Sequence, residues 1–197
     1  MTVTDDRPPE TPSQPPSGAG SSSAEGLAGC EELLRACMTS LQQLTAADPA
    51  SLPVAKVKAS PEQSVVVLRR LEELKCAAAA AQAAVTARLD AATRSAEAAQ
   101  GIPAARQGRG VAGEVALARR TSPWHGRRLL GLAKILPAEL PHTWEASRGG
   151  HITETATTWI AQQTACLSVG DRLQVDRQDA GNLGALGGLS ERQIRQA

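Results

Sequence analysis

The chain contains no phenylalanine and no tyrosine, and it has only three tryptophans among its 197 residues. Hydrophobic residues nevertheless make up 42% of it, so the core must be built from Leu, Val, Ile and a large number of Ala side chains. Such a core is typical of closely packed helices rather than of a sheet sandwich. No segment alternates with period two for long enough to predict a strand, and the predicted fold class is all-α.

The sequence also lacks export and membrane signals. The N-terminus, MTVTDDRPPE, carries acidic residues where a signal peptide needs basic ones, and no apolar run follows. No stretch approaches the ~20 strongly apolar residues of a membrane span. We therefore expect a cytoplasmic protein without a membrane partner.

Metal and catalytic motifs are missing as well. The cysteines, Cys30, Cys37, Cys76 and Cys166, form no CxxC and have no histidines at zinc spacing, which favours buried, reduced thiols. The histidines, His125, His142 and His151, have no matching carboxylate pair, and the chain has no nucleophile elbow, Walker loop or GxGxxG motif. The sequence predicts neither a catalytic site nor a metal or other cofactor in this chain.

Formal charge is distributed unevenly along the chain. It is −3 over residues 1–60, zero over 61–100 and +4 over 101–197. The C-terminal half therefore has a modest basic bias, which falls well short of the strongly basic patch of a committed nucleic-acid binder.

The first hundred residues divide into a tail and two helices. Residues 1–26 are rich in Pro, Ser, Gly and acidic residues, so a disordered tail is predicted there. An amphipathic helix is predicted from about Leu27 to Leu44, and a linker from Ala46 to Ala59. The region 27–100 is thus predicted to be a helical hairpin whose second, long helix covers about 61–100.

The long helix has the clearest start signal in the chain. In Ser60-Pro61-Glu62-Gln63, Ser stands at the N-cap, Pro at the first helical position and Gln at the capping-box position. Apolar residues then recur at steps of three and four, which predicts a contact with another helix, either the first helix or a second copy of the chain. We call this set the seam: Val67, Leu71, Leu74, Ala78, Ala81, Val85, Leu89, Ala92, Ala96 and Ala99. On the other side, Asp90 and Arg94 are predicted to form an exposed pair one turn apart.

Residues 105–197 predict a multi-helix domain of short helices. Gly101-Ile102-Pro103 ends the long helix, and Ala104 to Gly110 is predicted to be a mobile connection. The helices that follow are predicted at Val111 to Arg120, Ser122-Pro123 to Leu136, Pro141 to Gly149, Thr153 to about Ala165, Ser168 to about Ala180, and from Ser190 to Ala197. A turn is predicted between Pro137 and Pro141.

The Ser122-Pro123 corner raises the question of DNA binding. On the helix that follows, Leu129, Leu130, Leu132, Ala133 and Leu136 share one arc, while Trp124, Arg127, Arg128, Gly131 and Lys134 share the other. With the preceding helix, the pair has the size of a helix-turn-helix, and Arg127, Arg128 and Lys134 are the candidate DNA contacts. The alternative is a structural corner, because the turn lacks the usual glycine and no Asn or Gln lies on that face.

The order of several short motifs is similar to that of a known domain. These are Glu114 to Arg119 followed by Ser122-Pro123, Leu132-Ala133 leading to Leu140-Pro141-His142-Thr143, Gly150 followed by Ile152-Thr153, and Cys166-Leu167-Ser168 with Asp171-Arg172. In this order, over residues 105–180, the chain resembles the helical N-terminal domain, of unassigned function, of actinobacterial proteins that carry an HNH endonuclease signature.

The resemblance implies a DNA-metabolism context. Similar family members carry, beyond this domain, a small nuclease module that binds a divalent metal, but the present sequence ends at Ala197 without a counterpart of it. We therefore expect a truncated or split member: a non-catalytic helical domain, inactive alone, that serves in dimerisation through the Ala-rich helix or in substrate positioning. The alternative is a helix-turn-helix DNA-binding regulator.

Overall fold

A computed structural model describes residues 21–45 and 60–180, and all regular secondary structure within these ranges is helical, as predicted. The first helix, α1, spans Ser21–Thr45 and belongs to a different compact unit from the helices after residue 59, so it is described by itself. It begins six residues before the predicted start at Leu27 and thus overlaps the predicted tail. The rest of that tail, the predicted linker from Ala46 to Ala59 and the predicted last helix lie outside the described residues, and the hairpin stays a prediction.

The second helix, α2, spans Pro61–Ala99 and begins with the predicted capping box. The backbone N–H of Gln63 donates to the Ser60 hydroxyl at 3.2 Å, and the Gln63 side-chain oxygen accepts from the Ser60 N–H at 3.1 Å. Two of the N–H groups that a helix start leaves unpaired are therefore satisfied locally. The sequence alone is sufficient to place this end of the helix.

The face of α2 that packs on the short helices is not the seam. Eight of the ten seam residues are exposed, and only Leu71 and Leu89 are half-buried. The buried residues of α2 are Cys76, Ala80, Thr86 and Asp90, which lie on the opposite side of the helix. Because alanine occurs on every side of α2, its apolar periodicity does not select one face, and the short helices approach the side with small residues.

Five short helices follow. They are α3, Val111–Ala118; α4, Pro123–Glu139; α5, Pro141–Arg148; α6, Glu154–Gln163; and α7, Val169–Asp179. Their starts are as predicted, with Ser122, Thr153 and Ser168 each accepting a backbone N–H through the side chain. The predicted turn at Pro137 is wrong, because α4 continues through it to Glu139. A proline so close to a helix end removes one backbone hydrogen bond of the last turn, which the helix tolerates.

The connection between α2 and α3 is an ordered turn rather than the mobile connection predicted for Ala104 to Gly110. Ala104–Arg106 forms a short 3-10 turn, and the Gly108 N–H donates to the Glu97 carboxylate at 2.6 Å. Gly108 has a φ of +71° and is buried against the guanidinium of Arg94. The end of α2 thus holds this turn in place through polar contacts.

The core of α2 to α7 consists of three clusters of aliphatic side chains. One joins α3 to α4 and α2 through Val111, Val115, Leu129, Leu89 and Leu130. The second surrounds Leu132, Leu136, Leu140 and Ala161, and the third contains Ala146, Ile152, Ala156 and Ala180. Ile160 packs against both of the latter clusters, so α6 connects them. The predicted inward arc of α4 supplies most of the large side chains.

A buried carboxylate holds α7 against the start of α5. Asp176 is 1% exposed and accepts from the backbone N–H groups of His142 at 2.7 Å and Thr143 at 2.9 Å. The Thr143 hydroxyl donates to it at 2.5 Å. Leu140, the N-cap of α5, has no side chain that accepts a hydrogen bond, and Pro141 has no N–H to satisfy. Asp176 therefore caps a helix to which it does not belong.

Ion pairs also join helices that are distant in sequence. Arg119, at the end of α3, donates to both oxygens of Glu154 at the start of α6, at 3.0 and 3.1 Å. Arg172 of α7 pairs with Glu139 of α4 and also donates to the carbonyls of Thr164, Ala165 and Leu167. Arginine suits this position because its several donors can satisfy carbonyls at the end of α6 together with one carboxylate.

No helix among the described residues is long and apolar enough to cross a membrane.

Candidate nucleic-acid interface

The two helices that raised the question of a helix-turn-helix are α3 and α4, and residues 119–122 connect them. Gly126 makes the close crossing of the two helices possible. A Cβ atom on Gly126 would lie 2.4 Å from the Ala112 carbonyl oxygen and 2.7 Å from the Ala116 Cβ. The turn between the two helices has no glycine, which was an argument against a helix-turn-helix. The glycine that lets the helices cross closely is Gly126, in the second helix.

The two faces of α4 are as predicted from the helical wheel. Leu129, Leu132, Ala133 and Leu136 are buried. We call the opposite side the outward face: Trp124, Arg127, Arg128, Gly131 and Lys134, of which only Arg128 is half-buried and the others are exposed. The outward face is therefore the side of α4 that is open to solvent.

The three predicted contact residues differ in their surroundings. Arg127 is exposed and forms no ion pair with any described residue. The guanidinium carbon of Arg128 lies 4.7 Å from the centre of the Trp124 ring, a cation–π contact, and Arg128 forms no ion pair with any described residue. The Lys134 ammonium, in contrast, lies 2.7 Å from the Asp90 carboxylate.

Asp90 explains why Lys134 differs. Its Oδ2 accepts from both Lys134 and, at 2.8 Å, the Nε of Arg94, whereas its Oδ1 is buried without a hydrogen-bond partner among the described residues. Asp90 is 5% exposed, so the prediction of an exposed Asp90–Arg94 pair is wrong for the carboxylate, although the pair itself is present. Burial raises the pKa of Asp90, but the hydrogen bonds from Lys134 and Arg94 outweigh burial and hold the pKa below its ordinary value.

A groove of about 220 Å³ lies between α4 and α6, next to the outward face. Leu132, Ile135 and Ala161 form part of its apolar wall, and Gly131 leaves open space where another residue would place a side chain. The polar groups that line it are His125, Arg128, Thr158 and Gln162, and no carboxylate is among them. The groove therefore offers an apolar space with a cationic edge.

The histidines and cysteines do not assemble into a site. His125 lines the groove, the backbone of His142 binds Asp176, and His151 is exposed beside Gly149. No group of three His, Cys, Asp or Glu side chains within 21–45 and 60–180 could hold a metal ion. All four cysteines are free, but the prediction that they are buried is correct only for Cys76, since Cys30 and Cys166 are exposed and Cys37 is half-buried.

Several residues that carry the family resemblance make joints between helices. Arg119 binds Glu154, Thr143 binds Asp176, and Arg172 binds Glu139. Gly150, with a φ of +77°, lies against the Glu73 carbonyl of α2, where a Cβ would approach its oxygen to 2.7 Å. These four residues therefore contribute contacts between helices of the fold.

The contact between Trp124 and Arg128 was not predicted, although the sequence contains a signal for it. Trp124 and Arg128 are four residues apart on one helix, which is the spacing of side chains that touch. The contact between Lys134 and Asp90 joins positions 44 residues apart and has no local signal. Gln162 and Thr158 reach the groove only because α6 packs beside α4.

Comparisons with protein-family models, with curated proteins and with solved structures find no match to this chain.

Proposed function

We propose that this chain is a non-catalytic helical module of an HNH-endonuclease-like protein, and that α4 holds nucleic acid in position for a nuclease module. The observation that carries the proposal is the outward face of α4, on which Arg127 and Arg128 point away from the core without a carboxylate partner among the described residues. Such guanidinium groups bind phosphate oxygens well, because they remain charged and donate several hydrogen bonds.

The same face supports positioning better than sequence recognition. It contains no Asn, Gln, Asp or Glu side chain at the helix positions where base edges are read, and the charge of Lys134 is partly neutralised by Asp90. Two or three phosphate contacts give weak, salt-dependent binding that tolerates any sequence. Such binding is sufficient to orient a substrate that another module cleaves.

Fluorescence anisotropy with a labelled DNA duplex at low ionic strength tests the proposal on the full chain. We expect Arg127→Ala and Arg128→Ala each to weaken binding and to lower the slope of log affinity against log salt by about 0.9 per lost contact. Lys134→Ala should have a smaller effect because Lys134 is already paired with Asp90. The matched control is Arg177→Ala, which removes an exposed cation from α7. Absence of binding, or equal effects at all four positions, would refute the assignment of α4.

A helix-turn-helix regulator is the second candidate, and the close crossing of α3 and α4 at Gly126 favours it. A regulator differs from a positioning module in sequence preference, since specific DNA binding is typically 10³–10⁷ times tighter than non-specific binding by the same protein. Selection of bound sequences from a random pool distinguishes the two. An enriched motif would establish the regulator, and a pool without enrichment would support the positioning module.

The seam of α2 supports the dimerisation part of the proposal. Val67, Leu74 and Val85 are 45%, 42% and 49% exposed, and they lie on the side of α2 away from the short helices. A second copy of α2 would cover this apolar strip. Sedimentation equilibrium should show a self-association that Leu74→Glu weakens. Val66→Glu, which places the same charge at an exposed apolar residue outside the seam, should leave it unchanged.

A further inference from the structure

Trp124 is an unusual residue to find on the surface of this chain, which has three tryptophans and no other large aromatic residue besides histidine. Its side chain is 58% exposed on the outward face of α4, and the guanidinium of Arg128 lies over its ring. Burying the ring in the core would have stabilised the fold, since a buried aromatic removes a large apolar area from water. The ring is instead presented to solvent beside a cation.

The groove between α4 and α6 begins at the same place. Arg128, which contacts the Trp124 ring, also lines the groove, and so does the neighbouring His125. A volume of about 220 Å³ is below the range of roughly 300–1,000 Å³ that holds drug-sized ligands. The groove is therefore large enough for one base but not for a drug-sized ligand. Gln162 provides hydrogen-bond donors and an acceptor within the otherwise apolar wall, and the Thr158 hydroxyl, which donates to the Glu154 carbonyl at 2.8 Å, can still accept.

We propose that Trp124 and the α4–α6 groove bind unpaired nucleotides of a single-stranded nucleic acid. One base stacks on the Trp124 ring, a neighbouring base enters the groove, Arg128 binds the phosphate between them, and Arg127 binds a phosphate on the other side of the stacked nucleotide. An aromatic platform combined with cations is the usual basis of single-strand binding, because every base has a face that stacks. This inference rests on the proposed function and adds that unpaired nucleotides bind to this part of the chain more tightly than a duplex does.

Charge and ring chemistry favour a nucleic acid over an acidic peptide as the occupant. Both would be attracted by a lining with Arg128 and without carboxylates. An acidic peptide, however, needs neither an exposed indole nor polar groups inside the groove, whereas a base uses the indole for stacking and Thr158 and Gln162 for its edge. A phosphate also follows every base, which matches the guanidinium of Arg128 at the edge of the groove.

The test compares an oligothymidylate of about 12 nucleotides with a duplex of equal length, both labelled for anisotropy and added to the full chain. Trp124→Leu removes the platform and Gly131→Leu fills the groove. Gly131 has open space around its missing Cβ and lies within α4, so a leucine there fits the fold. Each variant should weaken binding of the oligothymidylate by roughly 5- to 100-fold, the range for the loss of one stacked base, and change duplex binding less than twofold. The control Leu117→Ala trims an exposed apolar side chain of α3 and should change neither.

The outcomes separate this inference from the proposed function. If the wild type binds the duplex but not the oligothymidylate, the inference is wrong and the proposed positioning role still stands. If the wild type binds neither ligand, the inference and the proposed function are both wrong. Oligothymidylate binding that is unchanged by Trp124→Leu and Gly131→Leu also refutes the inference. If a Leu-containing polyglutamate peptide binds in a manner sensitive to Gly131→Leu while the oligonucleotide does not bind, the groove belongs to an acidic peptide and the proposal is wrong.

Discussion

Replacement of Asp176 by alanine should destabilise the packing of α7 against α5 more than any change at an exposed position. The carboxylate is 1% exposed and accepts three hydrogen bonds, from the N–H groups of His142 and Thr143 and from the Thr143 hydroxyl. Its removal leaves two backbone donors at the start of α5 without a partner and opens a cavity between the two helices. Each of these effects lowers the free energy of unfolding.

The magnitude follows from these contacts. Hydrogen bonds to a charged group are worth about 1.5–3 kcal/mol each, but three that share one carboxylate do not add fully. We therefore expect Asp176→Ala to lower the free energy of unfolding by about 3–4 kcal/mol, out of a total of roughly 5–15 kcal/mol for a domain. For a unit of this size, that corresponds to a drop in melting temperature of roughly 10–15 °C.

Urea unfolding of the full chain, followed by circular dichroism at the helical band, measures the effect. Thr143→Val removes only the hydroxyl donor and should cost about 1–1.5 kcal/mol. Asp179→Ala is the matched control, because it removes an exposed carboxylate from the end of the same helix and should change stability by less than about 0.5 kcal/mol. The reasoning fails if Asp176→Ala costs less than 1 kcal/mol, or if Thr143→Val is equally costly whether Asp176 is present or absent.

Two further predictions concern α4 and its contact with α2. Gly126→Ala should destabilise the chain by about 1–3 kcal/mol, because the new Cβ meets the backbone of α3. Gly131→Ala on the same helix meets nothing and should stabilise the chain by about 0.5–1 kcal/mol. In urea unfolding, the midpoint should therefore decrease for Gly126→Ala and increase for Gly131→Ala. Because the pKa of Asp90 is held below its ordinary value of 3.8 in the folded chain, its contribution to stability is complete above the unfolded-state pKa and is lost as the pH falls through the folded-state pKa. The unfolding free energy of the wild type should therefore fall more steeply below about pH 4 than that of Asp90→Asn, and parallel curves would contradict this account.

Much of the fold could be predicted because its signals are local. A helix start needs one side chain that accepts a hydrogen bond from an N–H two or three residues later, so Ser60, Ser122, Thr153 and Ser168 could be identified from their neighbours. The inward arc of α4 was equally predictable, since its large aliphatic residues all lie on one side. The start of α5 shows the limit of this reasoning. Its cap is Asp176, which lies on another helix and is recognised only after folding.

The candidate site was predictable in part for the same reason. Arg127, Arg128 and Trp124 follow from helical spacing along α4, and their place on its outer side needs no knowledge of other helices. The pairing of Lys134 and the groove beside Gly131 depend on α2 and α6 respectively. Lys134 thus lies on the outer side of α4 in a helical wheel, but in the fold its charge is partly neutralised by Asp90 of α2.

The sequence by itself determined most helix starts, the caps at Ser60, Ser122, Thr153 and Ser168, and the two sides of α4, because these depend on residues within one or two turns of each other. The tertiary structure decided which side of α2 faces the short helices, which basic residues of α4 keep their charge available, and where a groove remains open. These depend on contacts between helices. In an Ala-rich helix the close approach of a neighbour, as at Ala80, determines the buried side, and the hydrophobic pattern does not.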